Sequence, residues 1–350
     1  MREEIREQPE ALERTLRGEL RHAERLRARL AGRRPALIVL AARGTSDNAA
    51  QFGRYLLEIM TGIPVSLAAP SIFTLYGSRI DFRNALVVAV SQSGESTDTN
   101  LVLERAREAG AMTAGITNER RSSLARLAGE VFLVRAGKER SVAATKTYTG
   151  QLLSLYLLAY ALGARIRTDD LERIPELAGQ ALRLEDEMAG RAGRYRFMEH
   201  AVVVGRGLNY SNAFEFALKM METCYVVADR FSSADFLHGP IAIIGASFPV
   251  FLFAPAGATW PSMSEMVAKL RSLKAETLVI TDASNRQALE LAPDAVRVPV
   301  RLAKRGLHPV ELYTPIPYII PAQVFAACLA EEKGLDPDRP RTLHKVTRTL

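Results

Sequence analysis

The sequence contains the same order of motifs twice, at a nearly constant spacing. Gly44 follows the apolar run ALIVLAA, and Gly207 follows the similar run HAVVVG, 163 residues later. Glu58 and Glu222 repeat in the same way at a spacing of 164 residues. A repeat this long indicates two copies of a domain and argues against a solenoid. The chain is therefore predicted to be a tandem duplication of one unit.

Short, continuous apolar runs within each copy predict buried parallel strands, because such strands are covered on both faces. Strands are expected at 36–42, 85–91, 112–118, 129–134, 200–207, 248–254 and 277–283. Helical patterns separate them, which predicts βαβ crossovers. The expected fold class is α/β, with two doubly wound, flavodoxin-like parallel sheets flanked by helices and followed by a C-terminal tail.

The domain boundaries follow from these patterns. The predicted parts are an N-terminal helical segment 1–34, a first domain 35–165, a linker helix 166–197, a second domain 198–334 and a tail or lid 335–350.

The net charge of +7 is concentrated at the two ends of the chain. Residues 1–34 contain ten Arg and seven Glu, and residues 333–350 contain five basic and two acidic residues. The N-terminal charges mix signs at helical spacing and lack interleaved aromatic residues, so they predict a solvated helix and no nucleic-acid partner. No apolar run is long enough for a membrane span, and the N-terminus is too charged for a secretory signal. We therefore expect a cytoplasmic protein that does not enter a membrane.

Cys224 and Cys328 lie in apolar, helical-looking stretches far apart in sequence, which is typical of buried thiols. The histidines have no spacing that indicates a metal site. No metal or organic cofactor is expected.

Hydroxyl side chains follow the first two strands of the first copy. One turn contains Gly44-Thr45-Ser46, and the next is SQSGEST, residues 91–97. Both turns precede helices, whose N-termini attract anions, and both lie where open α/β sheets bind ligands. Neither is a nucleotide-binding loop motif. The turns predict a small phosphorylated ligand, although Ser and Thr are also ordinary helix caps.

A third segment, residues 142–146, follows the last strand of the first copy. Its small residues would let the backbone approach a ligand, and Thr145 or Lys146 could add polar contacts. The alternative is that Thr145 caps the next helix and Lys146 is solvated.

The second copy has no matching hydroxyl run, which suggests that it supplies catalytic groups instead. Lys219 and Glu222 share one helix face among apolar residues, where a carboxylate is a stronger base suited to proton abstraction next to a carbonyl. A surface ion pair is the alternative. His238 precedes Gly239-Pro240 in a loop and could act as an acid or base, or be purely structural.

These motifs together resemble the sugar-isomerase (SIS) domain family, and within it the isomerase half of glucosamine-6-phosphate synthases. The resemblance covers nearly the whole chain, through RGTSDN, SQSGES, SVAATKTYT, LKMMETCY, FLHGP and DRPRTLHKV. It implies that sugar-phosphate binding is the role of Gly44, Thr45, Ser46, Ser91, Gln92, Ser93, Ser96 and Val142.

The resemblance also implies catalytic roles. Glu222 would move a proton between C1 and C2, and Lys219 would stabilise the developing negative charge. His238 would open the sugar ring, acting from the neighbouring subunit of a homodimer. Lys345 in the tail would close over the site and act at the carbonyl.

Departures from the synthase pattern favour a particular activity. Arg2 follows Met1 where a synthase has the nucleophilic Cys of its glutaminase domain, Arg43 replaces a Cys, and Ala144 replaces a Ser. The expected function is conversion of glucosamine-6-phosphate to fructose-6-phosphate and ammonia. The alternatives are the reverse aminotransferase reaction, with ammonia or a partner glutaminase, and a non-catalytic phosphosugar sensor.

Overall fold

The computed structural model describes residues 1–300 and 309–343. The chain forms two compact units, one made of Glu7–Pro175 and the other of Met1–Arg6 with Glu176–Thr342. No helix in the described part of the chain is long and apolar enough to cross a bilayer.

The described helices are α1 (Arg2–Arg6), α2 (Gln8–Arg29), α3 (Thr45–Thr61), α4 (Ser71–Thr74), α5 (Thr97–Glu108), α6 (Ser123–Leu127), α7 (Lys146–Ala161), α8 (Thr168–Glu172), α9 (Ile174–Leu182), α10 (Glu185–Ala192), α11 (Tyr210–Cys224), α12 (Ser233–Leu237), α13 (Trp260–Ser272), α14 (Arg286–Leu291) and α15 (Pro315–Glu332). The strands are β1 (Leu37–Ala41), β2 (Val65–Leu67), β3 (Ala85–Val90), β4 (Met112–Thr117), β5 (Glu130–Leu133), β6 (His200–Gly205), β7 (Val227–Ser232), β8 (Pro249–Phe253), β9 (Glu276–Asp282) and β10 (Val296–Val298).

The first sheet is parallel, with strand order β2-β1-β3-β4-β5. Every residue of the central strand β3 is buried, as its continuous apolar sequence predicts. On one face, Val39 and Ala41 pack with Val102 of α5. On the other, Leu40 lies close to Gly53 of α3, where a Cβ atom would also crowd Leu155 of α7. Helices therefore cover both faces, and the doubly wound prediction is confirmed.

The second sheet has the order β10-β9-β8-β6-β7, which is the same topology in the second copy. All its recorded pairings are parallel. Val202 and Val250 pack against Met266 and Leu270 of α13 in its core. The predicted duplication of an α/β unit is confirmed.

Two features differ from the sequence prediction. The strands β2, β7 and β10 were not predicted; each lies at a sheet edge, where one side is unpaired and the apolar signal is weaker. The single predicted linker helix is instead three short helices, α8 to α10. Pro175 explains the first break, because a proline has no N–H group and its ring clashes with the carbonyl four residues earlier, so it fits only in the first turn of a new helix, α9.

The two cysteines are free and buried, which confirms the sequence prediction. The Cys224 thiol donates to the carbonyl oxygen of Ala326, and burial raises its pKa to about 11. A thiol with that pKa is a poor nucleophile at neutral pH.

Candidate functional site

The turn after β1 places two hydroxyl groups at the start of α3. Gly44 has φ 56°, a left-handed conformation that favours glycine, and Thr45 is the first helical residue. Ser46 is buried, and its Oγ accepts a hydrogen bond from Gln151 Nε2 of α7 at 2.9 Å. Because Gln151 donates to the Ser46 oxygen, the Ser46 hydrogen remains available for another acceptor.

The turn after β3 contains Ser91 to Ser96 and is folded on its own hydroxyl groups. Ser91 Oγ accepts from the backbone N–H of Gly94 at 3.1 Å. Gly94 has φ 66°, and a Cβ atom there would collide with Ser122, so this position requires glycine. Ser93 Oγ accepts from the Glu95 N–H at 3.3 Å, and Ser96 Oγ lies 3.0 Å from the hydroxyl of Thr99.

The two turns lie side by side because β1 and β3 are paired, with Ala41 opposite Ala89. The turn before α3 is also joined to the first turn of α5 by an ion pair between Arg43 and Asp98, with Arg43 Nη2 2.6 Å from Asp98 Oδ2. Hydroxyl groups and two helix N-termini therefore meet at the carboxyl edge of the sheet. This arrangement suits a phosphate group.

The segment before α7 differs from the alternative in which Thr145 caps the helix and Lys146 is solvated. Thr145 does not cap the helix through its side chain, and Lys146 is buried and pairs with Glu7 at 2.6 Å. The cap is Glu139, whose Oε1 accepts from the backbone N–H groups of Thr145 at 2.8 Å and Thr147 at 3.3 Å. Val142 is half-buried in the preceding loop. Lys146 therefore is a buried, ion-paired side chain at the start of α7 and is not solvated.

In the other unit, α11 carries a buried ammonium group between two carboxylates. Lys219 is fully buried, with its Nζ 2.5 Å from Glu222 Oε2 and 3.4 Å from Glu215 Oε1. Glu215 is also fully buried, whereas the Glu222 side chain is 22% exposed. The pair is therefore not an ordinary surface ion pair, since only Glu222 reaches solvent.

The remaining predicted catalytic residues lie elsewhere. His238 follows the short helix α12, and its side chain is exposed. Gly239 has φ 139°, and Pro240 starts a 3₁₀ turn, so the backbone around His238 is fixed. Lys345 lies outside the described residues. Within the described ranges, no cluster of three His, Cys, Asp or Glu side chains could hold a metal.

Four supporting residues were not identified from the sequence: Asp98, Glu139, Gln151 and Glu215. Helical spacing gave a signal only for Glu215, which is four residues before Lys219. The partners of Asp98 and Gln151 are 55 and 105 residues away, beyond the reach of local patterns.

The SIS domain family model matches residues 34–161 and 196–307, the parts of the chain that contain the duplicated sheet and the hydroxyl turns. The chain belongs to the SIS domain family. It is 35% identical to a glutamine--fructose-6-phosphate aminotransferase [isomerizing] of Pyrococcus horikoshii, over 99% of this chain but 57% of that protein. The chain thus spans just over half the length of this curated relative.

Two solved structures are similar over nearly their full length. A phosphosugar isomerase, described as putative, from Silicibacter pomeroyi is 31% identical, with a TM-score of 0.82 over 97% of this chain and 99% of that one. The C-terminal domain of glucosamine-fructose-6-phosphate aminotransferase from Francisella tularensis is 26% identical, with a TM-score of 0.85 over 96% and 97%. Both confirm the resemblance found in the sequence.

Proposed function

We propose that this protein is a phosphosugar isomerase-type deaminase, which converts glucosamine-6-phosphate to fructose-6-phosphate and ammonia. The observation that carries the proposal is the arrangement on α11, where buried Lys219 holds the partly exposed Glu222. A carboxylate held next to a fixed cation can remove a proton beside a carbonyl while the cation stabilises the negative charge that develops.

The phosphate of the substrate would bind at the turns after β1 and β3. Thr45, Ser46, Ser91, Ser93 and Ser96 offer hydroxyl donors there, next to the N-termini of α3 and α5. The side chains of Gln92 and Val142 would contact the sugar. Neutral donors bind a phosphate through hydrogen bonds and the helix ends.

The reaction can be written with groups of this chain. His238 opens the ring, which gives an aldehyde at C1 beside the carbon that bears the amine. Glu222 removes the proton from C2 and returns it to C1, while a second proton passes from the amine nitrogen to O1, which leaves a hydroxyl group at C1 and an imine at C2. Water adds to this imine, and the C–N bond breaks to release ammonia and the C2 ketone. We assign His238 to a second copy in a homodimer, because its exposed position is suited to a contact from outside its own unit.

A second candidate is the reverse direction, in which ammonia is added to fructose-6-phosphate. The printed name of the Pyrococcus relative, an aminotransferase, favours this direction. The same side chains serve both directions, because a catalyst accelerates a reaction and its reverse equally.

The decisive experiment is to mix the protein with glucosamine-6-phosphate and measure ammonia. We expect release, and a fall in kcat of about 10²- to 10⁴-fold for Glu222→Gln. Glu265→Gln, which changes an exposed residue of α13, is the matched control and should retain full activity. A much larger kcat/KM for forming glucosamine-6-phosphate from fructose-6-phosphate and ammonium than for releasing ammonia would support the second candidate. No turnover in either direction overturns both.

A further inference from the structure

The turn after β8 in the second copy has the same backbone hydrogen bond to the neighbouring strand as the hydroxyl turn after β3 in the first copy. The N–H of Ser91 donates to the carbonyl of Ile116 on β4, and the N–H of Ala254 donates to the carbonyl of Ile280 on β9. Ser91 and Ala254 thus occupy the same place in the two copies, 163 residues apart.

The equivalence continues along the turn. Gly94 and Gly257 follow three residues later, both with positive φ, at 66° and 132°. A hydroxyl residue then takes the N-cap position in each copy, Ser96 before α5 and Thr259 before α13. The second copy has therefore kept the glycine and a hydroxyl residue at the N-cap position. These are followed by a helix of thirteen residues, α13.

The second copy has lost two hydroxyl groups and gained a carboxylate. Ala254 and Ala256 stand where the first copy has Ser91 and Ser93. Glu311, which is only 3% exposed, accepts from the N–H of Ala258 at 3.1 Å through Oε2 and from the N–H of Thr259 at 3.3 Å through Oε1. A Cβ atom on Gly257 would overlap this carboxylate. The absence of a side chain at Gly257 thus leaves room for the carboxylate of Glu311, which binds in this turn as an anion would.

One donor of this turn remains unmatched. The hydroxyl oxygen of Thr259 is buried and has no hydrogen-bond partner among residues 1–300 and 309–343. Each oxygen of the Glu311 carboxylate accepts from one backbone N–H, and neither accepts from the Thr259 hydroxyl. A tetrahedral oxyanion such as phosphate has further oxygens that could accept from Thr259.

The charges around the turn limit what it can bind. Asp282 is fully buried and faces the same turn, where its Oδ2 accepts from the N–H of Ala256 at 2.9 Å and from the Tyr318 hydroxyl at 3.0 Å. A second negative charge close by weakens the binding of any anion. Only a small oxyanion at millimolar concentration or above is expected to replace the carboxylate.

The first copy also has a carboxylate in the loop before its last helix, but that carboxylate has a different role. Glu139, in the loop before α7, caps α7 itself through the N–H groups of Thr145 and Thr147. Glu311, in the segment before α15, instead reaches back to the start of α13. The two carboxylates therefore cap different helices: Glu139 caps the helix that follows it, and Glu311 caps a helix that lies earlier in the chain.

We propose that residues 254–260 form a second oxyanion cradle, that Glu311 is its built-in ligand, and that this carboxylate limits the chain to one phosphosugar site. The cradle and its ligand rest on contacts within one unit, and only the number of phosphosugar sites rests on the function proposed above.

The test is to remove the carboxylate of Glu311 by mutation and to add a small anion, acetate or phosphate, to the solution. Glu311→Ala should lower the Tm of the unit by roughly 5 °C or more, because two hydrogen bonds to a charged group are lost. Sodium acetate or phosphate should restore much of this Tm, whereas sodium chloride at the same ionic strength should not. Equilibrium dialysis with radiolabelled phosphate should show one more site per chain than in the wild type.

Glu290→Ala is the matched control, because it removes an equal charge from an exposed position of α14 in the same copy. Its Tm should respond to acetate as the wild type does. If Glu311→Ala does not fold in dilute buffer, its refolding yield with acetate against chloride provides the same comparison. A variant that is neither rescued by acetate or phosphate nor able to bind additional phosphate would overturn the proposal.

Discussion

Arg43 Nη2 lies 2.6 Å from Asp98 Oδ2, and this ion pair joins the two hydroxyl turns of the first copy. The Asp98 side chain is 2% exposed, whereas half of the Arg43 side chain faces solvent. Arg43 Nε also donates to the same Asp98 oxygen at 3.1 Å. The turn that starts α3 is therefore held to the first turn of α5 by a partly buried pair with two hydrogen bonds.

Breaking this pair should affect both stability and phosphosugar binding. Asp98→Asn is expected to lower the free energy of unfolding by about 1–3 kcal/mol, because the guanidinium loses a charged partner. Both Asp98→Asn and Arg43→Ala should raise KM for a phosphosugar more than they lower kcat. Urea unfolding and steady-state kinetics measure these effects.

The control for that prediction is Arg83→Ala. Its pair with Asp81 lies on the surface, 2.6 Å apart, so losing it should change neither urea unfolding nor KM. Equal effects of Arg43→Ala and Arg83→Ala would contradict a role for Arg43 in joining the turns.

Lys219→Met should destabilise the protein as well as inactivate it. The change leaves the carboxylate of Glu215 buried without its cation, which costs about 3–5 kcal/mol in the free energy of unfolding. Adding Glu215→Leu should recover most of this loss, because no buried charge then remains unpaired. Urea unfolding of the single and double variants tests the expectation, and a single variant as stable as the wild type would refute it.

Glu139→Ala should fray the start of α7. The carboxylate caps the N–H groups of Thr145 and Thr147, and loss of a helix cap costs about 1 kcal/mol. Hydrogen exchange should accelerate in the first turn of α7 and remain unchanged in α3. Glu172→Ala, at an exposed position of α8, is the control, and it should leave exchange in α7 unaltered.

Acid should weaken the contact between α1 and α10. Hydrogen bonds from Arg6 and Arg2 lower the pKa of Glu185 below its ordinary value of 4.5. The unfolded chain therefore binds a proton at higher pH than the folded chain, so this contribution to stability is present above pH 4.5 and is lost as the pH falls below it. Tm measured against pH should fall less steeply in acid for Glu185→Gln. Parallel curves for the two proteins would show that Glu185 does not contribute.

The sequence determined the duplication, the parallel sheets and the hydroxyl turns. A buried parallel strand such as β3 needs an unbroken apolar run, and a turn such as that at Gly44 needs a residue that tolerates positive φ. Both requirements act within a few residues, so they are visible in the local sequence. The edge strand β2 was not visible, because its three residues are only partly buried.

Only the tertiary structure decided which charged side chains are buried and what they contact. Lys146 finds Glu7 at a separation of 139 residues, and Glu311 reaches the turn at Ala258 across 53 residues. Burying a charge is favourable only where folding brings a partner to it, and no local pattern encodes that partner. For this reason the hydroxyl turn of the first copy could be found by inspection of the sequence, whereas the occupied turn of the second could not.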